Sequence, residues 1–193
     1  MANTSATGGY LTGTETALNI EHFFHDLIMN STGIDKTLVR PRWQPNPPVI
    51  PSSNTDWCGF GVEELAGDDS AYVDKNTTLT ADLIRHEKYK LICSFYGANA
   101  RDNCRKMRDG LEVGQNREVM SLANIGYINC SPARHAPELI NDIWYDRYDI
   151  DFEFAREVAK TYNIEDIAYA SVYLIIDGGA DINTKTITIV SNS

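Results

Sequence analysis

Asp149, Asp151 and Glu153 are the residues best spaced to do chemistry in this sequence. Side chains two apart on a strand project to one face, and three carboxylates there can hold a divalent ion, as metal-dependent nucleases do. Against that chemistry, no lysine neighbours the row in the sequence to complete a nuclease-like site, and a solvated sheet face produces the same alternation. His22 and His25 form a second group, with Glu21 and Asp26 beside them. Their i, i+3 spacing can bring two ligands to one metal, but a zinc site needs more ligands and the H-E-x-x-H pattern is absent, so no metal site is expected. His86, within Arg85-His86-Glu87-Lys88, and His135, in a proline-flanked stretch, read as exposed side chains. Cys58, Cys93, Cys104 and Cys130 form no C-x-x-C group and read as reduced, small core residues. No phosphate-binding glycine loop and no G-x-S-x-G elbow occurs, so an enzyme is not expected, nor any cofactor.

The elements that must position these residues come from a chain of 193 residues, enough for one domain with a substantial core. With 17 Lys+Arg against 27 Asp+Glu the net charge is −10, and the pI is about 4.8. That balance argues against wrapping nucleic acid, which needs a basic face. Mean hydropathy is −0.33, and the longest apolar run, Val172 to Ile176, is far shorter than the roughly 20 residues of a membrane span. The N-terminal sequence lacks a basic start and an apolar stretch, so a cytoplasmic protein without membrane contact is expected.

Residues 1–13 have the composition of a flexible arm, and the remainder, 14–193, reads as a single domain with extended loops at 43–55 and 63–80. Thr12-Gly13-Thr14-Glu15 suggests a capping box for a first helix that carries Phe24, Leu27 and Ile28 inward and ends before Gly33. Five of the seven prolines lie between Pro41 and Pro51, which predicts a short edge strand from Thr37 to Arg42 followed by an extended, polyproline-like loop. Arg40, Arg42, Trp43, Pro47 and Pro48 are its candidate partner contacts. Gly59 and Gly61 alternate within a strand begun by Trp57, where small residues let another backbone approach. A half-buried strand follows from Ala81 to Tyr96. Next comes a helix from Asn99 to Val113 with Ala100, Cys104, Met107 and Leu111 on its apolar stripe. Arg101, Arg105 and Arg108 form an adjacent basic stripe, either a solvated face or a docking surface for an acidic subunit. A short helix near 116–124, a strand from Gly126 to Cys130, a loop around a helical turn from Pro132 to Asp142, and a strand alternating Tyr148, Ile150, Phe152 and Phe154 with acids come next. Ile167 to Asp177 and Thr184 to Val190, joined through Gly178-Gly179, read as a final hairpin. The class is α+β: a mixed or mainly antiparallel sheet packed against two main helices.

Several strings occur together in order: Val39-Arg-Pro-Arg-Trp-Gln-Pro-Asn-Pro-Pro48, Cys93-Ser-Phe-Tyr-Gly97, Arg108-Asp-Gly-Leu-Glu-Val113 and Gln115-Asn-Arg-Glu118. Pro137-Glu-Leu-Ile-Asn141, Trp144-Tyr-Asp-Arg147, Asp151-Phe-Glu-Phe154 and Thr161-Tyr-Asn-Ile-Glu-Asp-Ile167 continue the set. From about residue 17 to 170 the chain resembles the neck terminator, or tail terminator-like, proteins of tailed bacteriophages. The resemblance implies a structural virion protein of α+β fold, commonly a hexameric ring around the DNA channel. Such a protein closes the head-proximal end of the tail and joins it to head-completion proteins, with the tail tube and the tail sheath as further neighbours. It is assembled in the host cytoplasm, and the family has no catalytic residues to carry over. In such a ring DNA passes without specific binding, and Asp149, Asp151 and Glu153 become candidates for an acidic channel wall. Two alternatives stand beside this reading. One is another neck or tail component, a head-completion adaptor or a tail-tube subunit; the other is a metal-dependent nuclease using the acidic strand face.

Overall fold

A computed structural model describes residues 10–15, 18–65, 67–75, 80–164, 171–173 and 186–188. The chain divides into two compact units, a larger one of Thr16–Tyr72 and Ile84–Ala159, and a smaller one of Met1–Glu15, Val73–Leu83 and Lys160–Ser193. Two strands of 17 residues each, β4 (Thr80–Tyr96) and β9 (Arg147–Asn163), have residues in both.

The larger unit is α+β, with three helices and a mixed sheet. Helix α1 (Ile20–Thr32) begins at Asn19, whose side chain accepts from the His22 amide at 2.9 Å, so the cap lies several residues beyond the Thr12–Glu15 box read from the sequence. It ends at Gly33, where φ of 79° lets the amide close onto the Met29 carbonyl, a left-handed turn that favours glycine. A 3-10 turn at Lys36–Leu38 leads into β1 (Val39–Pro41), which pairs in parallel with β2 (Trp57–Leu65) at the edge of the sheet. The order is β1-β2-β4-β9, then β5 (Ile125–Cys130), with the β2–β4 and β5–β9 pairs antiparallel. The edge strand is thus recovered, and the parallel β1–β2 pair beside the antiparallel ones makes the sheet mixed, as the sequence predicts. Of the 63–80 loop, β2 takes residues through Leu65, and β3 (Tyr72–Lys75) pairs with β4.

Helices α2 (Ala100–Gly110) and α3 (Gly114–Ser121) follow β4. Gly97 makes the exit: its φ is 106°, and a Cβ there would stand 2.5 Å from the Thr55 carbonyl oxygen. Phe24 and Ile28 of α1, Cys104 and Met107 of α2 and Met120 of α3 form one buried cluster with Phe60 of β2, Leu91, Cys93 and Phe95 of β4, and Ile150, Phe152 and Phe154 of β9. Phe24 and Phe154 meet at 4.9 Å between ring centres. Period-2 alternation in the strands and the 3.6 period in α1 and α2 therefore turn their apolar faces to a common core, as the sequence predicts. The stretch from Pro132 to Asp142 differs from expectation. It holds β6 (Arg134–His135), which pairs with β9, and the start of a hairpin of β7 (Glu138–Ile140) and β8 (Ile143–Tyr145) in place of a helical turn.

In the smaller unit Thr14 bridges Thr161 through two backbone hydrogen bonds of 2.9 Å, the role it takes in place of helix capping. Glu15 pairs with Lys160 at 3.3 Å, and Thr161 donates to Asp82 at 2.7 Å. β10 (Ser171–Tyr173) and β11 (Thr186–Thr188) are antiparallel neighbours, which is the described part of the predicted hairpin. Its Gly178-Gly179 turn, and residues 1–9 of the predicted arm, lie outside the described residues.

Candidate functional site

Because Cys58, Phe60, Leu91, Cys93, Phe95, Ile150, Phe152 and Phe154 face the helices, their alternates define the opposite sheet face. That face carries Trp57, Gly59 and Gly61 from β2, aligned with Tyr96, Ser94 and Ile92 of β4, and Arg147, Asp149, Asp151 and Glu153 from β9. The proline segment lies over it. A Cβ on Gly61 would stand 2.6 Å from the Trp43 indole, so the glycine makes room for an aromatic ring where the sequence suggested a backbone. Trp43 itself is 69% exposed and has φ of 34°, a costly conformation for a bulky residue.

The result is an open cleft of about 530 Å³, with Arg40, Arg42, Trp43, Pro47 and Pro48 among its lining residues. These five sequence-predicted contacts are brought together. The cleft also contains residues that sequence reasoning passed over. Trp57 and Tyr96 stack at 4.0 Å with planes 3° apart, and the guanidinium groups of Arg40 and Arg147 lie 6.0 Å and 5.6 Å from the Trp57 and Tyr96 rings. Burial, with a hydrogen bond to Glu138, pushes the Tyr96 hydroxyl up to about 12, so it stays protonated and donates to Glu138 at 2.9 Å. Trp57 Nε1 is buried without a hydrogen-bond partner. Arg40 donates to the Thr37 and Val49 carbonyls, at 3.2 and 2.8 Å, and Arg42 donates to Ser94 Oγ at 2.5 Å. No carboxylate among the described residues pairs with either arginine.

Asp149 lies below the cleft and is not a member of a free acidic row. It is 8% exposed and receives Arg147 Nε at 2.7 Å and Nη2 at 3.0 Å, Ser94 Oγ at 2.5 Å, and Arg134 at 3.3 Å. Burial pushes its carboxyl up, but the hydrogen bonds from Arg147 and Ser94 and the nearby positive charge outweigh that and hold it below the usual carboxylate range. Asp151 pairs with Lys90 at 3.0 Å. The lysine absent from the local sequence is thus supplied by β4, and it neutralises the carboxylate that a nuclease would give to a metal. Alternation on β9 is as predicted; what a single strand's sequence could not reveal is that β4 and β6 bring cations to its acidic side.

The remaining candidates lie elsewhere. Arg101, Arg105 and Arg108 are exposed on α2; Arg108 pairs with Asp109 at 2.9 Å, while no described carboxylate pairs with the other two. None of the four cysteines is bridged, and burial raises the Cys93 thiol well above its ordinary value and the Cys104 thiol to about 11, the opposite of what a nucleophile needs. His86 faces Asp68 at 2.9 Å and His135 faces Asp146 at 2.6 Å, both half open to solvent. His22, His25 and Asp26 are drawn together on α1, with ligand atoms within 4.8 Å of one another.

The larger unit is thus an α+β fold that carries an open cleft lined by arginines and aromatic rings. The family model described as phage neck terminator protein matches residues 19–179, more than four-fifths of the chain, and the chain belongs to that family. It is therefore a bacteriophage structural protein of the neck. A comparison with curated proteins gives no match. No helix among the described residues is long and apolar enough to cross a membrane.

Proposed function

We propose that this chain closes the head-proximal end of a phage tail as a ring of identical subunits, six by family precedent, and joins it to head-completion proteins. It is a non-catalytic part of the virion, assembled in the host cytoplasm, and its neighbours are further copies of itself, the tail tube, the neck proteins and, where present, a sheath. The family match over residues 19–179 carries this reading. The cleft supports it as a candidate contact surface: Arg40 and Arg42, without carboxylate partners among the described residues, and an exposed, strained Trp43 suit an acidic, partly apolar segment of a neighbouring subunit. Arg101 and Arg105 on α2 are a second, weaker contact of the same kind. An acidic channel wall of Asp149, Asp151 and Glu153 has less support, because two of the three are engaged by cations; repulsion of passing DNA rests on the net charge of −10.

Removing the chain from a phage that encodes it should give DNA-filled heads and tails in normal amounts but unjoined, restored when the chain is supplied from a plasmid. Joined, infectious particles in its absence would reject the role.

A further inference from the structure

We propose that His22, His25 and Asp26 form a binding site for one divalent transition-metal ion on the outer face of α1, with zinc as the natural occupant. The three residues stand at i, i+3 and i+4, so one helix turn presents them on a single face. His25 Nδ1 is 3.0 Å from Asp26 Oδ1, and His22 Nε2 is 3.6 Å from Asp26 Oδ2. Tetrahedral zinc with bonds of about 2.0–2.1 Å separates its ligand atoms by roughly 3.4 Å, and the three ligand atoms here lie within 4.8 Å of one another, so binding needs a further approach of the His22 ring.

The second ring nitrogen of His25 makes the case stronger than proximity does. His25 Nε2 is 3.0 Å from the Lys36 carbonyl oxygen, which can only accept, so Nε2 carries the proton. Nδ1, 3.0 Å from Asp26 Oδ1, then meets the carboxylate either as a second donor, in the imidazolium, or through its lone pair, in the neutral ring. In the neutral ring a cation bridges the two acceptors in the place of the proton. A backbone carbonyl that fixes the tautomer of a ligating histidine is also the usual outer partner of a metal-bound imidazole. His22 stacks on His25 with ring centres 6.1 Å apart and planes 15° apart, and its side chain is 71% exposed, so it can swing onto the ion without disturbing the core. Water completes the shell. Two imidazoles with one carboxylate select zinc, cobalt or nickel over magnesium or calcium, which prefer oxygen. Because Lys36 precedes β1, a bound ion would tie α1 through His25 to the segment that enters the proline loop.

The test is titration of the metal-free full chain with zinc chloride by calorimetry, and with cobalt chloride by visible absorption. The expected result is one ion per chain, micromolar affinity, a tetrahedral cobalt spectrum, and a higher melting temperature in zinc. H22A and D26N change exposed side chains and should fold, yet each should weaken zinc binding at least about tenfold and abolish the thermal shift, while H86A and H135A bind as the parent does. No saturable uptake up to millimolar zinc overturns the proposal. So does uptake that H22A and D26N leave unchanged, or a His25 Nδ1 that stays protonated at saturating zinc in nitrogen NMR, the state in which Asp26 simply holds an imidazolium.

Discussion

A chain carrying Trp43→Ala together with Arg40→Glu should fold normally and fail to join heads to tails. Both side chains meet solvent in the isolated subunit: Trp43 is 69% exposed, and Arg40 reaches only backbone carbonyls and the face of Trp57. Losing them costs little in the monomer, and alanine keeps the Cβ, so the backbone at φ of 34° is no more strained than before. In a docked assembly the same groups are of the types that dominate binding energy. Truncating a central tryptophan or arginine typically costs 2 kcal/mol or more, about thirtyfold in affinity for each contact. Reversing the Arg40 charge adds repulsion from an acidic partner. Complementation of a deletion phage should then yield few or no plaques, with unjoined heads and tails in the lysate, while the variant's melting temperature stays within a few degrees of the parent. Parental plaque numbers from this variant would remove the cleft from the assembly surface.

The second large effect is on stability. Asp149→Ala leaves Arg147 without its principal counter-ion and strips Ser94 of the acceptor that its hydroxyl meets at 2.5 Å. Breaking a largely buried pair in this way typically costs about 3 kcal/mol, a large part of the 5–15 kcal/mol that holds a domain folded. Asp149→Asn keeps an acceptor in place and should cost less. The two variants also differ from the parent in pH response. A carboxyl whose folded pKa lies below its unfolded value of about 3.9 stabilises the fold above that value and loses the contribution as pH falls through the folded one. Urea unfolding of the parent should therefore shift to lower denaturant as pH drops from about 5 towards 2, and Asp149→Asn should show a shallower acid limb. Equal slopes would mean that the Arg147–Asp149 pair contributes no net stability.

Elements whose signals are local were legible in the sequence. The core face of α1 at Phe24 and Ile28, the α2 stripe through Cys104 and Met107, and the alternation of β4 and β9 all follow from periodicity, and each is buried as predicted. Failures came where distant partners decide the outcome. Thr12-Gly13-Thr14-Glu15 has the spacing of a cap, but Thr14 pairs with a residue 147 positions later. The β7–β8 hairpin does carry a local signal: Asn141 and Asp142, both at positive φ of 49° and 62°, sit between apolar pairs as a two-residue turn requires. The cleft was half legible. Proline density marked its lip and the lining side chains of Arg40, Arg42 and Trp43, whereas its floor needs the β2–β4 register that stacks Trp57 on Tyr96. The partners of the acidic row were illegible for the same reason, since Lys90 and Ser94 reach it only across the sheet.

Location in the particle tests the assignment most directly. Virions carrying an epitope tag on this chain, decorated with gold-labelled antibody and viewed by negative-stain electron microscopy, should show label confined to the junction of head and tail, and absent from heads purified without tails. Label along the tail, at its distal tip or on the capsid surface, or no label on intact virions, would contradict a neck terminator.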